Sequence, residues 1–308
     1  MTDLSVKFCG VTFLNPLILP SGIAQEIPND HKRAIDGGAG GITTKSLTVE
    51  PREGNPVPRV IRVVPEGMGI MNSVGLRGPG LEKGKVLIRD FIKTSSVPVI
   101  VSIFAAKVAD FEKLACTIAP LKPALLELNL SCPNVDDEFG IPLGMGAGSA
   151  AGVVEAVKKI AKKVPVLVKL TPNVPNIAEI AKACEKAGAD GITAINTLGP
   201  GMSIDIVKRK PVLGAKRGGL SGTVIRPVAI RCVYDIYEAV KIPIIGMGGI
   251  SSWQDAVEMM MAGATLIGVG SVTYYKGMKV FGEIAANLKK YMADNNIKHL
   301  KELVGAAH

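Results

Sequence analysis

Two amides and a thiol, Asn129, Asn134 and Cys132, stand close together where an apolar run ends. A thiol that loses its proton is a base or a nucleophile. Carboxamides both donate and accept hydrogen bonds, so a pair of them suits a small planar substrate with mixed C=O and N–H edges. The grouping predicts Cys132 as a general base and the amides as substrate holders. Ala124 to Leu130 reads as a buried strand that stops at Pro133, which cannot continue a central ladder. Gly140, Gly144, Gly146 and Gly148 follow, so the strand opens into a loop. Barrel enzymes carry their chemistry at such strand ends. Cys9, Cys116, Cys184 and Cys232 have no such setting and read as small core or helix residues.

The elements that position this group repeat along the chain. Apolar runs near residues 17, 42, 98, 125, 166, 192, 244 and 266 predict strands. They are largely continuous rather than alternating, which marks parallel strands buried on both faces. Helices are predicted from Lys85 to Lys93, Asp110 to Ile118, Ala150 to Lys163, Ile177 to Ala187, Arg226 to Val240, Ser252 to Ala262 and Gly277 to Met292. Eight strands alternating with helices point to the α/β class and a (β/α)8 TIM barrel. A short β-hairpin over residues 5–13 precedes it, and inserted loops sit at its C-terminal mouth. Residues 47–80 read as a long polar connection without an element, a length that signals function. The chain, 1–308, is expected to form one domain. A doubly wound sheet is the alternative, weakened because no G-x-G-x-x-G follows the first strand.

In a barrel the strand ends converge on one mouth. The polar residues there are Ser21-Gly22, Lys45-Ser46, Asn129 with Cys132 and Asn134, Lys169, Asn196-Thr197, Gly248-Gly249 and Gly270-Ser271. Glycine turns after the last two strands suit a phosphate, and Gly218 to Gly222 adds another Gly-rich loop. Lys169 lies inside an apolar strand, where a lysine needs a partner. A positive charge at that depth suits the N1–C2=O edge of a flavin, which turns anionic on reduction. Lys45 suits either the flavin or the substrate.

Composition narrows the classes. Net charge is +9, yet no dense Lys/Arg run carries interleaved aromatics, which argues against nucleic acid. Five widely spaced cysteines without C-x-x-C argue against disulfides, zinc or iron–sulfur ligation and fit a reducing cytoplasm. No signal peptide or membrane-length apolar run is seen, so no membrane span is expected. Two of the three histidines, His299 and His308, lie near the C-terminus, away from the strand ends, which argues against histidine acid–base chemistry.

These residues resemble the dihydroorotate dehydrogenases, FMN enzymes of pyrimidine synthesis. The resemblance runs over nearly the whole chain. It is carried by Asn15-Pro16, Ser21-Gly22, Lys45-Ser46-Leu47-Thr48, Glu50-Pro51-Arg52-Glu53-Gly54-Asn55-Pro56, Asn72-Ser73-Val74-Gly75-Leu76, Glu127 through Asn134, Lys169-Leu170, Asn196-Thr197, Gly222, Gly248-Gly249 and Gly270-Ser271. The resemblance implies Lys45, Asn72, Asn129, Asn134, Asn196 and Thr197 as binders of dihydroorotate. It implies Ser21, Lys45, Ser46, Asn129, Lys169, Gly222, Gly248, Gly249, Gly270 and Ser271 as binders of FMN. Cys132 would take the C5 proton while flavin N5 takes the C6 hydride, giving orotate.

Cysteine rather than serine at 132, without an N-terminal membrane-associating extension, resembles the soluble class 1. Thr48 to Glu53 resembles the 1B type, whose acceptor is NAD through a separate iron–sulfur/FAD subunit. Class 1 relatives imply a homodimer. The second half of the loop Asp136 to Ala147 departs from the common 1B pattern. Three other readings stay open. A dihydropyrimidine dehydrogenase-like domain shares Asn-x-Ser-Cys-Pro, though Lys45 and the Asn72 motif favour a carboxylated substrate. A tRNA dihydrouridine synthase predicts a helical RNA-binding domain after the barrel. A non-catalytic scaffold predicts loss of Cys132 or Lys169, and both are present.

Overall fold

Continuous apolar runs such as Val99–Ile103 and Val166–Leu170 leave no face for water, and the chain buries them as the inner wall of a barrel. The structure, a computed structural model, describes residues 3–25, 27–64, 69–131 and 143–308. Its barrel strands, first to eighth, are Leu17–Leu19, Gly41–Thr43, Val99–Ile103, Leu125–Asn129, Val166–Leu170, Gly191–Ala194, Ile244–Met247 and Ala264–Gly268. All are parallel, and the eighth pairs with the first to close the ring. These are the eight predicted strands. Helices cover the outside, and the apolar stripe of Ala147–Ala161, including Val153, Val154 and Val157, is buried. The helix Trp253–Met261 starts in a capping box between Ser252 and Asp255.

Side chains alternate along each strand, so Leu125, Glu127 and Asn129 share the interior face. Such a barrel stacks its inward residues in layers of four from alternate strands. Following the registered pairs round the ring, the lowest layer is Gly41, Leu125, Gly191 and Leu266. Above it lie Ile18, Ile100, Leu167 and Ile245, then Thr43, Glu127, Thr193 and Gly268, then Pro20, Ser102, Lys169 and Met247. The interior therefore changes from apolar to polar in the direction of the strands.

The predicted hairpin forms from Val6–Phe8 and Val11–Phe13 and plugs the lower end. Its turn residues Cys9 and Gly10 have φ of 47° and 82°, the left-handed pair that a two-residue hairpin turn uses. Phe8 and Phe13 are buried edge to face, with centroids 6.4 Å apart. Glycines in the lowest layer make room for them. A Cβ on Gly41 would lie 2.6 Å from Phe13 Cε1, and one on Gly191 would lie 3.2 Å from Phe8 Cζ.

Three expectations change. Residues 47–80 are not without elements, because they hold the strands Val60–Val64 and Gly69–Asn72. Gly218–Ser221 is a strand rather than a loop. With Leu198–Gly201 these form a four-stranded antiparallel sheet, ordered Leu198–Gly201, Gly218–Ser221, Gly69–Asn72, Val60–Val64. Leu198–Gly201 and Gly218–Ser221 are short and rich in Gly and Pro and carry no local period, so the pattern hides them. The helix Asn29–Asp36 was also not predicted. Its sequence is polar, and its buried face is only His31 and Ala34.

Candidate active site

The strand ends and the four-stranded sheet enclose one cavity at the C-terminal mouth, about 1230 Å³ with its opening included. Ser21, Lys45, Ser46, Asn72, Asn129, Lys169, Asn196, Thr197, Gly222, Gly248, Gly249, Gly270 and Ser271 all line it. Residues predicted from nine different stretches thus meet in one place. Cys132 and Asn134 lie outside the described residues.

A hydrogen-bonded chain of small polar side chains runs across the wall. Ser46 Oγ lies 3.2 Å from Ser21 Oγ and 3.0 Å from Ser102 Oγ, and accepts from Asn129 Nδ2 at 2.9 Å. Asn129 Oδ1 accepts from Ser131 N at 3.2 Å and from Ser131 Oγ at 3.1 Å. Asn196 Nδ2 donates to Ser131 Oγ at 2.8 Å, and Asn196 Oδ1 accepts from Thr197 N at 2.8 Å. The network fixes which way each amide faces. It links the ends of the first, second, third, fourth and sixth strands. Networks of this kind in a partly buried wall hold their members rigidly.

Two lysines bring positive charge. Lys45 donates to Gln25 Oε1 at the rim. Lys169 is buried at 5% exposure, and among the described residues no acceptor hydrogen-bonds its ammonium. A buried ammonium without an acceptor marks a place for an electron-rich group. Tyr274 lines the rim, and its phenol is raised above its ordinary value, first by partial burial and then by Asp30.

The far wall is backbone. Gly248 and Gly249 follow the seventh strand with φ of 130° and 81°. A Cβ on Gly249 would lie 2.7 Å from Arg226 Cβ and 2.9 Å from Gly222 O, so these turns pack too closely for side chains. Asp255 braces them. Its carboxylate accepts from Ser251 N at 2.8 Å, Ser252 N at 3.0 Å and the Arg226 guanidinium. Gly222 leads toward the helix Arg226–Ala239 and Gly249 toward Trp253–Met261. Backbone turns before helix N-termini suit a phosphate.

Asn72 comes from the sheet that covers the mouth, and Thr197 directly precedes that sheet's strand Leu198–Gly201. Asn72 Nδ2 donates to Gly219 O at 3.4 Å. Asn173 supports Thr197 from behind, donating to Thr197 O at 3.3 Å and accepting from Gly199 N at 2.9 Å. Sequence reasoning missed Gln25, Ser102, Ser131, Asn173, Arg226 and Asp255. Ser131 was within sight, two residues after Asn129 in the run that drew attention. Asp255 had its capping position as a signal, whereas Gln25, Ser102, Asn173 and Arg226 had none.

The family model for dihydroorotate dehydrogenase matches residues 3–292. The chain belongs to the dihydroorotate dehydrogenase family. It is 43% identical over 306 residues to the dihydroorotate dehydrogenase B (NAD(+)) catalytic subunit of Pyrococcus furiosus, covering 99% of each chain. It is 41% identical over 307 residues to the protein of the same name from Thermococcus kodakarensis, covering 100% of this chain and 99% of that one. The protein of that name from Methanocaldococcus jannaschii is 41% identical over 308 residues, covering 99% of this chain and 98% of its own.

As a dihydroorotate dehydrogenase family member the chain is an oxidoreductase, and the family's reaction, dehydrogenation of dihydroorotate, belongs to pyrimidine synthesis. The resemblance over Asn15 to Ser271 falls within the matched span. Among the described residues no helix is long and apolar enough to cross a membrane.

Proposed function

We propose that this chain is the catalytic subunit of a 1B-type dihydroorotate dehydrogenase, a single FMN-binding barrel over residues 1–308 that converts dihydroorotate to orotate. One observation carries the reading: buried Lys169, without an acceptor among the described residues, lines a cavity walled by amides on one side and by glycine turns on the other. These residues fit FMN. Lys169 would hold the flavin's N1–C2=O edge, Ser21, Lys45, Ser46 and Asn129 its ring system, and Gly222, Gly248, Gly249, Gly270 and Ser271 its phosphate end. When bound, FMN supplies the acceptor for the hydride leaving C6.

The chain's own groups do the rest. Asn72, Asn129, Asn134 and Asn196, with Thr197, match the alternating donors and acceptors of the substrate ring. Lys45 supplies charge for its carboxylate. Cys132 Sγ takes the C5 proton. A free thiol with pKa about 8.5 is only a few per cent ionised near neutrality, so turnover is expected to rise toward alkaline pH.

With no cysteines spaced for an iron–sulfur cluster, the chain would pass electrons to a separate subunit that carries one together with FAD, and on to NAD. A homodimer in a reducing cytoplasm accompanies this reading. The decisive experiment is anaerobic reduction of the purified yellow protein by dihydroorotate and by dihydrouracil, followed by fumarate, NAD and a quinone as oxidants. Bleaching by dihydroorotate alone is the expected result. Bleaching by dihydrouracil in its place would transfer the chain to the dihydropyrimidine dehydrogenase-like reading.

A further inference from the structure

Beneath the cavity floor lies a polar layer that the reaction as described does not use. It consists of Thr43, Glu127, Thr193 and Gly268, contributed by the second, fourth, sixth and eighth strands. Thr43, Glu127 and Thr193 are 2%, 1% and 0% exposed. Their Oγ1, Oε1 and Oγ1 atoms are buried and, among the described residues, have no hydrogen-bond partner. Gly268 adds no side chain to the layer. The layer below, Ile18, Ile100, Leu167 and Ile245, is apolar and fully buried. A carboxyl group and two hydroxyls thus share one interior layer of a barrel that is sealed from beneath.

Orphaned polar atoms in such numbers call for a partner, because a buried polar group left alone keeps its full desolvation penalty. A shared water satisfies two to four of them at once. The layer directly above supplies one cation, Lys169, on the strand next to that of Glu127. Among the described residues the two make no direct ion pair. We infer that Glu127 is the counter-charge of Lys169, joined to it through water held by Thr43 and Thr193, and that this buried acid sets how strongly Lys169 favours the reduced flavin. Glu127 touches neither substrate nor flavin, so it is a positioning residue. The inference rests on the FMN reading given above.

The sign follows from electrostatics. The flavin edge beside Lys169 gains negative charge on reduction. A carboxylate below Lys169 offsets part of the lysine's pull and holds the potential down. Removing the carboxylate's charge leaves the lysine uncompensated and raises the potential.

The test is the midpoint potential of the FMN-loaded chain, measured by anaerobic equilibration with a reference dye. Glu127→Gln is expected to move the two-electron equilibrium roughly tenfold toward the reduced form, about 30 mV upward. Glu127→Asp keeps the charge and is expected to stay near the starting value. A purely structural role would lower melting temperature or flavin retention in both variants without an upward shift specific to Gln. An unchanged or lowered potential in Glu127→Gln overturns the inference. Should that variant not fold, Thr193→Val decides, with a smaller upward shift expected and no shift refuting. A starting chain that takes up no FMN refutes both this inference and the function it rests on. A chain that binds FMN but shows no Gln effect refutes this inference alone.

Discussion

The two ends of the barrel are built from the same strands and contrast in almost everything else. At the lower end Phe8 and Phe13 fill the space over Gly41 and Gly191, and the two lowest interior layers hold only Gly, Leu and Ile. At the mouth serines, asparagines and lysines face an open cavity. The change happens within single strands. Inward positions of the fourth read Leu125, Glu127, Asn129: an apolar seal, a buried acid, then a hydrogen-bonded amide. One end specifies the fold and the other the chemistry, and two steps of backbone alternation separate them. Substitutions at the lower end should therefore change stability without changing turnover, and substitutions at the mouth should do the reverse.

The strongest way to break that division is Cys132→Ala. Loss of a general base lowers kcat by about 10²–10⁴-fold, while melting temperature and bound flavin stay unchanged. Near-normal kcat would remove Cys132 from the chemistry. Cys132→Ser is expected to keep slight activity, displaced to higher pH.

Next in size is Phe13→Ala at the opposite end. Emptying a fully buried aromatic site costs about 3–5 kcal/mol, visible in denaturant unfolding, while kcat per bound flavin is preserved. A large fall in kcat would show that the plug reaches the site. Smaller again is Lys169→Met, which removes a charge-assisted contact worth about 1.5–3 kcal/mol. FMN affinity measured by fluorescence titration is expected to weaken tenfold or more, and an unchanged Kd would leave Lys169 without its assigned partner.

Thiols sharpen the contrast further. Burial pushes Cys184 up to about 12. Its folded form keeps a proton that the unfolded chain loses near pH 8.5, so the stability it contributes is intact below that pH and declines as pH rises toward 12. The slope is about 1.4 kcal/mol per pH unit. Cys9 is likewise raised to about 12, first by desolvation and then by Asp190. Alkaline pH should thus raise turnover through Cys132 while eroding the fold, and Cys184→Ala should flatten the decline in melting temperature above pH 9. An unaltered pH profile in that variant would mean that Cys184 does not ionise on unfolding.

How much of this was legible depended on whether the cause was local. The eight strands could be read because a strand buried on both faces needs a continuous apolar run, and each run carries that mark alone. The strand-end residues could be read because Lys169 and Asn129 are polar where the pattern demands apolar. The sheet over the mouth could not, since Gly218–Ser221 becomes a strand only by pairing with Gly69–Asn72. The contributions of Ser102 and Asn173 were equally hidden, because an ordinary polar side chain becomes informative only when its partner is known. The hairpin plug was visible as a hairpin, but its purpose needed the two glycines opposite its rings.

That sheet over the mouth has a consequence for how the molecule comes together. Gly219 pairs with Asn72 across a sequence gap of 147 residues. Closing so long a loop is entropically costly and slow. On a growing chain, the roof cannot form until the sixth barrel strand and the segment after it have been made. Asn72 waits, placed early in synthesis, for Thr197 and Gly222 to arrive. The roof therefore assembles long after its first strand is made, and the barrel beneath it closes later still, when Ile267 pairs with Leu17.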